Sequence, residues 1–248
     1  MTRDDFSNGF DVLLNSYARS IMFSENSSRL DIRLDEYEKS LHLTNSQNEL
    51  ALNLYAGRVI PGQSFETTEE MREYLAPLVK EAELDIKTEN SSENNSEPEP
   101  KKGILGLIQF ALPDDTWEIV YESLTVSGKA CSSDTSLDVY PVTLDEYNKI
   151  KKNPFRGVND RRALRLGPSA GVVEIDSKYE VSKYNIKYLR KPNPIILRDL
   201  PDGLEIEGKH TASDCELPSS LHKMILELAV QMALQTKGYN VGNKTSDK

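Results

Sequence analysis

Residues 103–126 read GILGLIQFALPDDTWEIVYESLTV. Here the chain leaves helical spacing for short apolar, β-branched and aromatic runs on either side of Pro-Asp-Asp, a turn signal, so two adjacent strands are predicted. Trp117, Ile119 and Tyr121 share one parity and Glu118, Val120 and Glu122 the other, which predicts a strand with one mostly buried face. Asp114 and Asp115 could serve as general acid and base, but in a chain with 40 acidic residues a turn-capping role explains them better.

Downstream, GKACSSDTSLD reads as a loop and TLDEYNKIKK as a helix that ends at Asn153, because a residue before proline avoids the α region. GVVEIDSKYE, KYNIKYLRK, PIILRDL and LEIEG read as further short strands joined by turns such as Pro-Asp-Gly at 201–203. Leu217, Leu221, Met224, Ile225, Leu228, Ala229, Met232 and Ala233 then recur every three or four residues, with Pro218 suited to a first turn and Gly238 to a stop. A long amphipathic helix therefore closes the fold, its stripe expected to lie against the sheet.

Upstream, the spacing is helical. Phe10, Leu13, Leu14 and Tyr17 define a first helix with Asp11 near its start, Asp35 and Thr44 are candidate caps of two more, and Gly57 stops the second. TTEEMREYLAPLVKEAEL predicts another helix from Thr68, bent or divided by Pro77. Residues 87–102, KTENSSENNSEPEPKK, hold no large apolar side chain and cannot offset their ordering entropy by burial. The predicted organisation is a helical region 1–82, an acidic linker or loop 83–102 and a β-rich region 103–248 with the closing helix. This is α+β: a largely antiparallel sheet covered by N-terminal helices and a C-terminal amphipathic helix.

Composition narrows function. A chain of 248 residues with 38% hydrophobic content can build one large domain or two small ones. A formal net charge of −10 disfavours general DNA binding, because the surface as a whole repels phosphate. Cys131 and Cys215 form no CxxC, His42, His210 and His222 stand apart, and there is no HExxH, GxSxG, GxGxxG or GxxxxGK[ST]. No catalytic residue, cofactor or metal is predicted, and an enzyme is not expected. The N-terminus lacks a signal-peptide pattern, and no apolar run reaches the roughly 18 residues of a spanning helix, so a soluble chain made in the cytoplasm, without a membrane partner, is expected.

One stretch opposes the overall charge. Residues 153–167, NPFRGVNDRRALRLG, carry Arg156, Arg161, Arg162 and Arg165 against the single acid Asp160, and they follow Lys149, Lys151 and Lys152. These arginines could be a solvated loop paired with local acids, a contact for a polyanion, or a grip on another subunit. The planar guanidinium pairs bidentately with carboxylates, which suits docking on an acidic copy of the same chain. A single-stranded nucleic acid would need exposed rings among the charges, and Phe155 is the one ring in the stretch. The helix leading into it, LDEYNK at 144–149, echoes LDEYEK at 34–39, which convergence on capping chemistry explains.

Four segments in order, LDEYEKSLHLTNSQNELALNLY, PVTLDEYNKIKKNPFRGVNDRRALRL, YNIKYLRKPNPIIL and CELPSSLHKMILELAV, resemble the virion structural proteins of crAss-like bacteriophages, in particular the ring proteins stacked below the portal. The resemblance touches most of the chain outside 83–102. It implies a non-enzymatic subunit of the head-to-tail connector in the neck of the virion. It also implies a ring of twelve copies matching the portal, contacts with the portal and other ring or tail proteins, and genome DNA in the lumen as cargo only. On this reading Phe155, Arg156, Arg161, Arg162 and Arg165 lie at subunit contacts. The alternatives are a cytosolic accessory or regulatory protein that binds a nucleotide or RNA through the basic loop, and an enzyme of unfamiliar type.

Overall fold

The computed structural model describes residues 1–25, 33–59, 63–86, 105–127, 135–169 and 171–239. The helices are α1 (Arg3–Glu25), α2 (Glu36–Tyr55), α3 (Glu69–Leu75), α4 (Leu144–Ile150) and α5 (His222–Thr236). The strands are β1 (Val79–Leu84), β2 (Ile108–Ala111), β3 (Thr116–Ser127), β4 (Thr135–Val142), β5 (Arg162–Ser169), β6 (Val172–Asp176) and β7 (Glu180–Arg190). The chain is α+β, with a mostly antiparallel, curled sheet of seven strands. It divides into a helical unit, Met1–Leu78 with Pro192–Lys248, and a sheet unit, Val79–Lys191.

In the helical unit α1 begins well before Asp11, with Asp4 and Asp5 in its first turn and Phe6, Phe10, Leu14 and Ala18 on its buried face. Asp35 caps α2 through a reciprocal box with Glu38. Thr44 starts no second helix. It is buried within α2, where its hydroxyl accepts from the backbone N–H of Ile195 at 3.0 Å, so a contact from distant sequence takes the group that would have capped. Gly57 ends α2 at φ 68°, a left-handed conformation suited to glycine.

The segment after Thr68 divides at Pro77: α3 passes into a 3-10 turn, Ala76–Leu78, and residues predicted to continue the helix form β1. Glu83 and Leu84, the first residues of the predicted linker, belong to that strand, and 87–102 lies outside the described residues. PIILRDL and LEIEG are not strands; each enters one isolated bridge, Ile196 to Ser213 and Ile206 to Lys209, and bends or turns right after it. Their polar groups turn to α2: Leu197 N–H donates to Ser40 Oγ at 3.1 Å, and Gln47 Nε2 to the Asn193 carbonyl at 2.8 Å.

α5 packs on α1 and α2 of its own unit, helices taking up the stripe that the sequence reading assigned to the sheet. Gly9 sets the approach, because a Cβ there would come within 2.8 Å of Leu226 Cδ2. The buried positions are His222, Ile225, Leu226, Ala229, Val230, Ala233 and Leu234, while Met224 is exposed.

In the sheet unit the strand order is β1-β7-β3-β4-β5-β6-β2. β2 and β3, consecutive in sequence, are therefore not neighbours: four strand spacings, about 19 Å in a flat sheet, separate them. Yet the link between them is a tight turn in which Thr116 N–H donates to the Pro113 carbonyl at 3.0 Å. A sheet joined so briefly across that width has to curl. Its inner face gathers Phe110, Leu124, Val126, Leu137, Val139, Ala163, Val173, Ile175, Tyr184, Ile186 and Tyr188 into one core. β4, whose described residues fall at the end of the predicted GKACSSDTSLD loop and beyond it, alternates Leu137 and Val139 inward with Ser136, Asp138 and Tyr140 outward; 128–134 lies outside the described residues.

Candidate functional site

Among the described residues the one parallel pair, β4 with β5, runs from Asp138 opposite Arg162 to Val142 opposite Leu166. Parallel neighbours need a crossover, and residues 143–161 supply it: α4 and the loop after it. Thr143 caps α4, its Oγ1 accepting from Glu146 N–H at 3.3 Å, so the echoed Asp145 sits in the first turn rather than at the cap. Tyr147 and Ile150 seat α4 on Leu164 and Leu166, on the outer face of β5. The Tyr147 hydroxyl donates to Asp176 at 2.9 Å; burial, followed by that bond, pushes it up to about 12.

The loop after α4 is wound on Asn153. Its Oδ1 accepts the N–H groups of Phe155 at 2.9 Å and Arg156 at 3.3 Å, and its carbonyl accepts Gly157 N–H at 2.7 Å. Gly157 is required by space: a Cβ would lie 2.6 Å from the Asn153 carbonyl oxygen and 2.8 Å from that of Ile150. A loop bonded to itself in this way turns Phe155 outward, 86% exposed, beside exposed Arg156 and Arg161.

Asp160, the acid expected to temper these arginines, is engaged elsewhere. It accepts from Lys178 Nζ at 2.6 Å and from the Tyr179 hydroxyl at 2.9 Å. Among the described residues, Arg156 and Arg161 form no ion pair. Arg162, at the start of β5, lays its guanidinium 4.1 Å from the centroid of the Tyr140 ring, a cation–π contact. Tyr121 joins the same outer surface, because Ser123 opposite Asp138 puts Tyr121 and Tyr140 at the next same-face positions of β3 and β4. Both rings are about half exposed, 51% and 43%. Phe155 is thus joined by two tyrosines that sequence distance hid, so the expectation of a single ring near the arginines does not hold.

Arg165 is separated from the other three. Strand alternation from Arg162 carries it to the inner face, where it is 8% exposed and its Nε donates to Glu122 Oε2 at 2.7 Å. The same oxygen accepts the Tyr184 hydroxyl at 2.6 Å. Burial first, then the charge and hydrogen bond of Glu122, raise the Tyr184 phenol well above its usual range. Glu122 therefore faces inward and Tyr121 outward, so Tyr121 leaves the face that Ile119 occupies, because the ladder slips between Ile119 and Tyr121. A cleft of about 560 Å³, lined by Trp117, Ile119 and Val172 among others, opens beside Arg165, whose guanidinium is already committed.

Among the described residues no group of three or more His, Cys, Asp or Glu could hold a metal ion, and no helix is long and apolar enough to cross a membrane. What the surface offers is guanidinium groups and rings, carried on a loop bonded to itself and on neighbouring strands of an acidic α+β chain. Residues 1–245 match the phage tail ring protein 3/4 family, and the chain belongs to it. It is 43% identical to "Ring protein 3" of Bacteroides phage crAss001, over 98% of this chain and all of that protein. It is 26% identical to "Ring protein 4/5" of the same phage, over 94% of this chain and 92% of the relative.

Proposed function

We propose that this chain is a non-enzymatic structural subunit of a phage head-to-tail connector. Twelve copies form a ring below the portal in the neck of the virion, and the genome passes through the lumen as cargo. The observation that carries this reading is the surface of Phe155, Arg156, Arg161 and Arg162, whose two most exposed guanidinium groups have no carboxylate of their own chain to pair with among the described residues. In a family of ring proteins, such a surface is a subunit contact. Arg165 stands apart from it as a structural residue of the sheet interior. The acidic remainder of the chain suits a conduit, since few cations hold phosphates and DNA slides freely.

A second reading is favoured by one observation. Tyr140 under Arg162, with Tyr121 on the neighbouring strand, supplies the stacking surface that a nucleotide or single-stranded RNA uses, which would make the chain a cytosolic accessory protein. Electron cryo-microscopy of assembled particles separates the two. The chain is expected in a twelvefold ring at the neck. Particles that contain none of it, together with salt-sensitive RNA binding by the purified protein, would overturn the connector reading.

A further inference from the structure

The geometry points to a head-to-tail contact between two copies of this chain: the arginine and aromatic surface of one sheet unit docks on the carboxylates around the start of α3 in the next copy. This rests on the ring reading above and adds the partner surface to it.

Charge is divided unevenly. The helical unit carries 21 Asp and Glu against 13 Lys and Arg, the sheet unit 19 against 17. Many acids of the helical unit are satisfied at home: Asp11 and Glu36 hold the buried Lys39, Glu38 takes Lys237, Asp35 caps α2, and Asp214 takes Arg3. Glu66, Glu69 and Glu73 are different. All three are exposed, none has an ion pair or side-chain hydrogen bond among the described residues, and adjacent Glu70 receives only the Tyr74 hydroxyl, at 2.6 Å. The cation among them, Arg72, turns its Nε to the Thr68 carbonyl instead. Glu69 and Glu73 are four apart on one helix face, where like charges repel, so a guanidinium from outside relieves a local cost as well as forming a pair.

The two surfaces match in kind. Arg156 and Arg161 bring free forks, and Phe155 and Tyr140 bring rings that dock while excluding water from the charges. The two surfaces are different patches of the chain, which lets copies join head to tail. Such heterologous contacts propagate around an axis and close into rings, whereas isologous contacts close at a dimer.

The test uses full-length protein in particles assembled in cells that supply only the variant chain, with copies per particle counted by quantitative mass spectrometry. Arg156→Glu with Arg161→Glu, and separately Glu69→Arg with Glu73→Arg, are each expected to lower incorporation about tenfold or more, since like charges then face each other. Circular dichroism and melting of each purified variant confirm folding; if the α3 pair fails that check, Glu66→Lys with Glu73→Lys replaces it. Combining all four reversals is expected to restore incorporation. Supplying the two double variants together is expected to do the same, because alternating copies again place opposite charges in contact. If the arginine reversals block incorporation and no combination restores it, the counter-surface lies elsewhere: the partner-surface proposal falls and the ring reading stands. If the arginine variant is incorporated normally but loses salt-sensitive binding to duplex DNA, the surface is one for nucleic acid and the proposal falls. Absence of the wild-type chain from any ring would overturn the underlying reading instead.

Discussion

Arg161 and Arg165 stand four residues apart in one basic run, yet they occupy opposite environments. Arg161 ends the crossover loop in solvent; Arg165 is buried in the curled sheet against Glu122 and Tyr184. The loop holds its cations with backbone hydrogen bonds to Asn153 and Asn159 and leaves the charge free. The sheet interior does the reverse, since a guanidinium taken out of water needs its counter-charge beside it. Charge on the loop is therefore available for a partner, while charge in the sheet is fixed by the fold.

The largest expected effect attacks the buried side of this contrast. Glu122→Ala leaves Arg165 and Tyr184 without their shared acceptor and is expected to destabilise the sheet unit by about 3–5 kcal/mol in denaturant titration. Replacing the pair together, Glu122→Leu with Arg165→Met, is expected to recover most of that loss, because no orphaned charge remains. A cost for Glu122→Ala no larger than for a surface change would break the comparison.

Lys39 tests an intermediate case. It is 4% exposed, but its carboxylate partners are partly open to solvent: Asp11 at 2.8 Å and Glu36 at 3.3 Å. Lys39→Ala is expected to cost roughly 1–3 kcal/mol, less than Glu122→Ala, because the half-exposed Asp11 left behind returns to water. Urea denaturation of the two variants side by side ranks them.

A smaller effect depends on pH. His222 lies tilted against Phe6, its Nε2 bonds to the Leu217 carbonyl at 2.9 Å and its Nδ1 faces the Met1 ammonium at 3.0 Å. Burial, with a lesser push from that ammonium, lowers its pKa below the ordinary 6.5. The unfolded chain therefore binds a proton more readily, so this contribution to stability is full above pH 6.5 and declines as pH falls toward the folded value. Melting temperature measured down from pH 7 is expected to drop less steeply in His222→Gln. The smallest effect belongs to the loop: Arg156→Glu with Arg161→Glu is expected to shift stability by no more than about 0.5 kcal/mol, since neither side chain has an ion pair among the described residues. A melting loss of several degrees would place these arginines inside the fold's own bonding.

Much of the fold was legible wherever local chemistry decides it. The Asp35 cap, the stop at Gly57 and the break at Pro77 follow from residues that act within a turn, and the terminal helix follows from apolar residues that recur every three or four positions. The charge of the basic run was legible too, because composition is additive along a chain.

What only the tertiary structure decided is which partner each group meets across long separations. Thr44 finds Ile195, 151 residues away, and stops being a cap. A ladder slip in β3 turns Glu122 inward, where β5 and β7 supply Arg165 and Tyr184. Tyr140 reaches Arg162 only because β4 and β5 run parallel, and Tyr121 joins them only because β3 lies on β4's other side. Sequence spacing reports the face that a side chain takes on its own element. Strand order and register decide what stands opposite it, and they are fixed by closing the whole sheet rather than by any one segment.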